Sequence, residues 1–104
     1  MKRIKRRYLA LQVECEYLPT ERELIDSIWT AVTKLYGEVG ASTSGLNLIV
    51  FSVDNRIAVI RISLAALSIV KASLATITGI SGKDAAVHVL AVSGTLKALY
   101  SKMK

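Results

Sequence analysis

Cysteine, histidine and proline each occur once in this 104-residue chain, and only 6% of its residues are aromatic. The lone Cys15 forbids an intramolecular disulfide and suits a reducing compartment. One cysteine and one histidine, His88, are too few for a closed zinc site. There is no Walker loop and no Gly-x-Ser-x-Gly elbow. Cys15 falls on the apolar side of its segment and reads as packing. His88, inside an apolar run, reads as a core or interface histidine rather than a general base. No catalytic set assembles, and no cofactor is expected on the chain. Long apolar runs are missing as well. The longest uncharged stretch, residues 39–53, holds Gly40, Ser42, Thr43, Ser44, Gly45 and Asn47, and residues 57–80 are interrupted by Arg61 and Lys71. A spanning helix needs roughly 20 predominantly apolar residues. Despite a mean hydropathy of +0.43, no membrane partner is expected.

Acidic residues are few: eight against fourteen basic, for a net charge of +6. Five of the basic residues are Lys2, Arg3, Lys5, Arg6 and Arg7, which leaves nine against eight, or +1, for everything after residue 7. So steep a concentration marks residues 1–7 as a polyanion-binding arm. The following segment, residues 8–15, contains Gln12 and Glu14 and no small-residue cleavage pattern. The arm is therefore not read as an export signal, and a cytoplasmic location is expected.

Hydrophobic periodicity organises the rest as one domain over residues 1–104. Leu9, Leu11, Val13 and Cys15 alternate with Tyr8, Ala10, Gln12 and Glu14, a strand over residues 7–16. Thr20 and Glu23 are spaced as a capping box for a helix ending at Gly37, with residues 39–45 as a loop. Residues 46–53 and 56–62 form a hairpin about Asp54-Asn55. A second helix is expected over residues 63–78, closed by Gly79, then a strand over 83–92. A short helix carries Leu96, Leu99, Tyr100 and Met103. The order β-α-β-β-α-β plus a terminal helix predicts an α+β, ferredoxin-like (RRM-like) sandwich on a four-stranded antiparallel sheet. The strands look apolar on both faces, so the terminal helix or a partner should cover the second face. The second helix holds one charge, Lys71. Its small outer residues Ser68, Ala72, Ser73 and Thr76 are expected to be a protein-partner interface.

Such a fold with a basic arm suggests RNA. Stacking on an open sheet is disfavoured, because residues 56–62 contain no aromatic to accompany Tyr8. Phosphate contacts from Lys2, Arg3, Lys5, Arg6 and Arg7, with Tyr8, Lys97 and the helix start at Thr95, are the more physical arrangement. A small-ligand regulatory module of the same fold class is the alternative, although it has no use for five cations in seven residues. An acylphosphatase-like enzyme would need a Gly-rich phosphate loop where Glu16-Tyr17-Leu18-Pro19-Thr20 stands.

Four segments in register resemble the archaeal ribonuclease P protein component 2 family. They are Arg7-Tyr8-Leu9, Tyr36-Gly37-Glu38-Val39-Gly40-Ala41, Val59-Ile60-Arg61 and Ser93-Gly94-Thr95-Leu96-Lys97. The resemblance implies an RRM-like subunit that assists a catalytic RNA in removing 5′ leaders from precursor tRNA. It also implies a TIM-barrel-like protein partner, only indirect contact with precursor tRNA, and Mg²⁺ ions held by the RNA. The chain departs from the family after Arg61, where Ile62, Ser63 and Leu64 replace further basic residues and give Arg61 a structural reading.

Overall fold

In a computed structural model, which describes residues 5–103, the first alternating segment forms β1 (Arg6–Cys15) at the centre of the sheet. Helix α1 (Glu21–Thr43) follows, then β2 (Asn47–Ser52), β3 (Ile57–Ser63), α2 (Leu67–Ala75), β4 (Gly79–Ile80), β5 (Lys83–Ser93) and α3 (Leu96–Lys102). A single 3₁₀ turn, Leu64–Ala66, leads into α2. The sheet is antiparallel throughout, in the order β2-β3-β1-β5-β4. The ferredoxin-like order is as expected; the fifth strand is an addition. It is a two-residue strand joined to β5 through Ser81 and Gly82, both at positive φ (51° and 80°), as a two-residue primed turn requires. Gly79 accordingly opens a strand instead of closing a helix.

Capping fixes where α1 begins. Thr20 Oγ1 accepts from the Glu23 amide at 3.1 Å, and Glu23 Oε1 accepts from the Thr20 amide at 2.9 Å. Gly37 adopts φ 77°, ψ 174°, a conformation reserved for glycine, but it kinks the helix rather than ending it. The chain re-enters helical geometry because Ala41 is drawn fully into the core. The expected loop over residues 39–45 is therefore a helical turn up to Thr43.

Two cores flank the sheet. Under α1 and α2, Leu9, Leu11 and Val13 of β1 pack with Leu24, Ile28, Val32, Ile60, Ile62, Val70 and Leu74. On the opposite face Leu99 of α3 closes over Ala10 and Val59, with Tyr8, Ala91, Leu96 and Met103 around them. The terminal helix thus covers part of the second face. Two bulges account for much of the apparent two-sided apolarity. Ala10 pairs with Ala91 while Leu11 pairs with Val89, so Leu90 is the extra residue and the strand changes phase there. Leu48 pairs with Ile60 and Val50 with Val59, which makes Ile49 the extra residue of β2. Both bulge residues face solvent.

One expected interface residue lies elsewhere. Ser73 is completely buried, whereas Ser68, Ala72 and Thr76 are exposed. Position 73 lies three after Val70 and four before Ile77, on the inward stripe, and its hydroxyl is satisfied by the Ile69 carbonyl at 2.8 Å. His88 also departs from its core reading: α3 does not reach that part of β5, so the ring is exposed and its Nε2 sits 3.4 Å from Glu14 Oε2.

Candidate nucleic-acid interface

Antiparallel topology sorts charge by sequence position. The starts of β1 and β2, the ends of β3 and β5, and the start of α3 share one end of the sheet. That end carries Lys5, Arg6, Arg7, Arg61 and Lys97. The end of β1, the start of α1, the β2–β3 turn and the start of β5 share the other. There stand Glu14, Glu16, Glu21, Glu23, Asp26, Asp54 and Asp84, every acidic residue except Glu38.

The cations at the acidic end are occupied. Arg22 Nε lies 3.8 Å from Asp26, Arg56 donates to the Cys15 carbonyl at 2.9 Å, and Lys83 stands 4.9 Å from the Tyr17 ring centroid. The two contacts between a carboxylate and a basic side chain among the described residues, Arg22–Asp26 and His88–Glu14, both use acids of that end. No carboxylate pairs with the cations of the opposite end among the described residues.

Individual positions follow from backbone ties. Lys5 is fixed where its carbonyl accepts from the Leu64 amide at 2.8 Å. Arg7 Nη1 donates to the Arg6 carbonyl at 2.8 Å and reaches the Gly94 backbone, where an added Cβ would stand 3.5 Å away. The structure therefore brings Arg7 to the Gly94-Thr95 junction. Thr95 Oγ1 is committed to capping α3 through the Ala98 amide at 3.2 Å. Lys97 is exposed, and Tyr8 is half-buried beside the Leu99 cluster. Lys102 donates to the Val92 carbonyl at 2.7 Å and is spent on holding α3 to the sheet. Lys2 and Arg3 lie outside the described residues.

Two features are not apparent in the sequence. Arg61 joins the cationic end because β3 pairs it with Tyr8 on one side and Asn47 on the other. The second is apolar: Trp29, Leu35, Tyr36 and Val39 of α1 are all exposed, although three of them continue the helix's hydrophobic spacing. The buried stripe is narrower, running through Leu24, Ile28, Ala31 and Val32. Glu23 is held below the ordinary carboxylate range, first by the Thr20 amide and then by the Ser81 side chain and Thr20 hydroxyl.

Among the described residues no helix is long and apolar enough to cross a membrane, and no cluster of His, Cys, Asp and Glu is suited to a metal ion.

Comparison with known families matches residues 7–104 to the Rpp14/Pop5 family. A ribonuclease P protein component 2 from Methanosarcina mazei is 35% identical over 95 residues, covering 91% of this chain and 80% of the relative. The protein of the same description from Pyrococcus furiosus is 34% identical over 100 residues, 96% of this chain and 83% of its own length. Among solved structures, a chain of the yeast ribonuclease MRP cryo-EM structure superposes with a TM-score of 0.69. That match covers 92% of this chain and 79% of the other at 19% identity, a likeness of fold.

Proposed function

Because the chain belongs to the Rpp14/Pop5 family, we propose that it is a protein subunit of ribonuclease P, binding the catalytic RNA through its cationic end. In that role it serves 5′-leader removal from precursor tRNA. The observation that carries the site assignment is the sorting of charge by topology, with cations that no carboxylate neutralises at one end and nearly all the carboxylates at the other. RNA backbone is a dense line of negative charge, and a surface that gathers cations without paired carboxylates neutralises it with no ion pair to break.

The chain contributes no catalytic group. Lys2, Arg3, Lys5 and Arg6 supply phosphate contacts from the arm, Arg7 and Lys97 from the junction beside Gly94, and Tyr8 and Thr95 shape the surface between them. Mg²⁺ is assigned to the RNA, and precursor tRNA meets the protein only through it. The cytoplasm is the proposed compartment, a reading supported by the free thiol of Cys15. A TIM-barrel-like subunit is the proposed protein partner, docking on the exposed row Ser68, Ala72 and Thr76 of α2.

Salt dependence tests the arm. Each phosphate neutralised on a single strand or duplex contributes about 0.7–0.9 to the slope of log affinity against log salt. Deleting Lys2–Arg6 should flatten the slope measured with ribonuclease P RNA by roughly 2–3, if about three cations sit on phosphates. An unchanged slope removes the arm from the interface.

A further inference from the structure

We propose that a recess between Arg6 and Arg61 is a second, built anion site that takes one phosphodiester group of an RNA backbone. It shares Arg6 with the arm but is centred on Arg61, and it rests on the RNA-subunit reading above. The recess has a volume of about 550 Å³. Its walls are Arg6, Leu46, Asn47, Arg61 and Ser63 together with Ser42, Thr43 and Gly45 at the end of α1, and no carboxylate lines it.

Three observations bear on its ligand. The first is an orphaned donor. Arg61 Nε is shut away from solvent and has no hydrogen-bond partner, the only side-chain nitrogen or oxygen among the described residues in that condition. A buried guanidinium N–H without an acceptor is costly, and a small rotation of the half-buried Arg61 side chain that brings this N–H to an anion's oxygen in the recess relieves it. The second is the rigidity of the walls. The Ser63 amide donates to the Ser44 carbonyl at 2.8 Å, and the Ser44 hydroxyl donates to Ala41 O at 2.6 Å while accepting from the Leu46 amide at 3.3 Å. Register holds Arg6 opposite Ser63, and Arg61 between Tyr8 and Asn47. The third is chemistry. Two guanidiniums with an amide and hydroxyls present donors from several directions, which suits a tetrahedral anion with several oxygens better than a planar carboxylate. The recess is also larger than a free phosphate fills, leaving room for the flanking sugars. Arg61, whose role the sequence leaves open, thereby becomes a ligand-binding residue.

The test uses the full chain and ribonuclease P RNA, with Arg61→Gln, Arg61→Lys and, as a control from the acidic end, Arg22→Gln. Arg61→Gln should weaken RNA binding about tenfold and lower the salt slope by about 0.7–0.9. Arg61→Lys should keep the slope and lose part of the affinity, and Arg22→Gln should bind as the unsubstituted chain does. In nitrogen-15 spectra the Arg61 Nε–H resonance should move when RNA is added. A folded Arg61→Gln with unchanged affinity and slope overturns the proposal. If circular dichroism finds Arg61→Gln unfolded, Asn47→Asp at the exposed wall takes its place, because Arg6 also belongs to the arm: weakened RNA binding supports the site, and unchanged binding overturns it. Titration with inorganic phosphate separates the two sources of the anion: a resonance that moves with phosphate and not with RNA overturns the RNA assignment. Should the unsubstituted chain bind no RNA at all, the subunit reading fails. The recess is then judged on phosphate alone, a saturable shift supporting an anion site and a static resonance overturning it.

Discussion

A difference of one residue along α2 separates a surface position from a core position. Ala72 is exposed and Ser73 is completely buried, although both are small and neither sits beside a charge other than Lys71. Substitutions at the two should therefore behave in opposite ways. Ala72→Glu leaves an exposed helix site occupied by a good helix former, so the fold should survive, and only docking of a second protein should suffer. If the TIM-barrel-like subunit docks there, burying an unpaired carboxylate costs several kcal/mol, and pull-down of that subunit should fail. Retained pull-down by folded Ala72→Glu moves the interface elsewhere, with the exposed apolar set Trp29, Leu35, Tyr36 and Val39 next in line. Ser73→Arg, by contrast, forces a guanidinium into the core and should abolish the cooperative melt. Ser73→Ala loses only the bond to Ile69 O and should stay within about 1 kcal/mol of the parent. The spacing to Val70 and Ile77 places Ser73 on the inward stripe, but its small polar side chain reads as a surface residue until the packing around it is seen.

At the scale of elements, the most legible signals were those whose physics is local. The Thr20–Glu23 capping box is an i, i+3 exchange of hydrogen bonds, so its spacing alone located the start of α1. Gly37 was legible as a glycine-only conformation, but the return to helix depends on burial of Ala41, which is tertiary. Strand β4 has two residues and hence no period to detect, and the phase change at Leu90 looks in sequence like a strand apolar on both sides. The arm and the Gly94-Thr95 junction were visible as composition and motif. Arg61 was not, since its neighbours come from β1 and β2 through register. The capping box also yields a pH dependence. Glu23 has its pKa lowered on folding, so the stability it contributes is present above the unfolded value of about 4.3 and lost as pH falls through the lower folded value. Thermal melts should accordingly show Glu23→Ala below the parent at pH 7, with the gap closing in strongly acidic buffer. An equal gap at both pH values would assign the loss to packing rather than to the carboxylate.

For the molecule as a whole, β1 is shared by both cores: Leu9, Leu11 and Val13 serve one and Ala10 the other. The same strand begins among the cations and finishes among the carboxylates. Charge is therefore tied to the central strand of the sheet and cannot be redistributed by a loop movement. Association with RNA should depend steeply on ionic strength, because the field from unpaired cations is screened within about 10 Å at 0.1 M salt. Stopped-flow mixing with ribonuclease P RNA should find the association rate constant falling by about tenfold or more between 50 and 200 mM salt. A rate indifferent to salt would mean that encounter is not electrostatically guided. A body with cations at one pole and carboxylates at the other also feels torque, not only attraction, near a polyanion. Like a compass needle it swings into alignment before contact, so collisions that a uniformly charged particle would waste arrive with the Arg6–Arg61 pole already foremost.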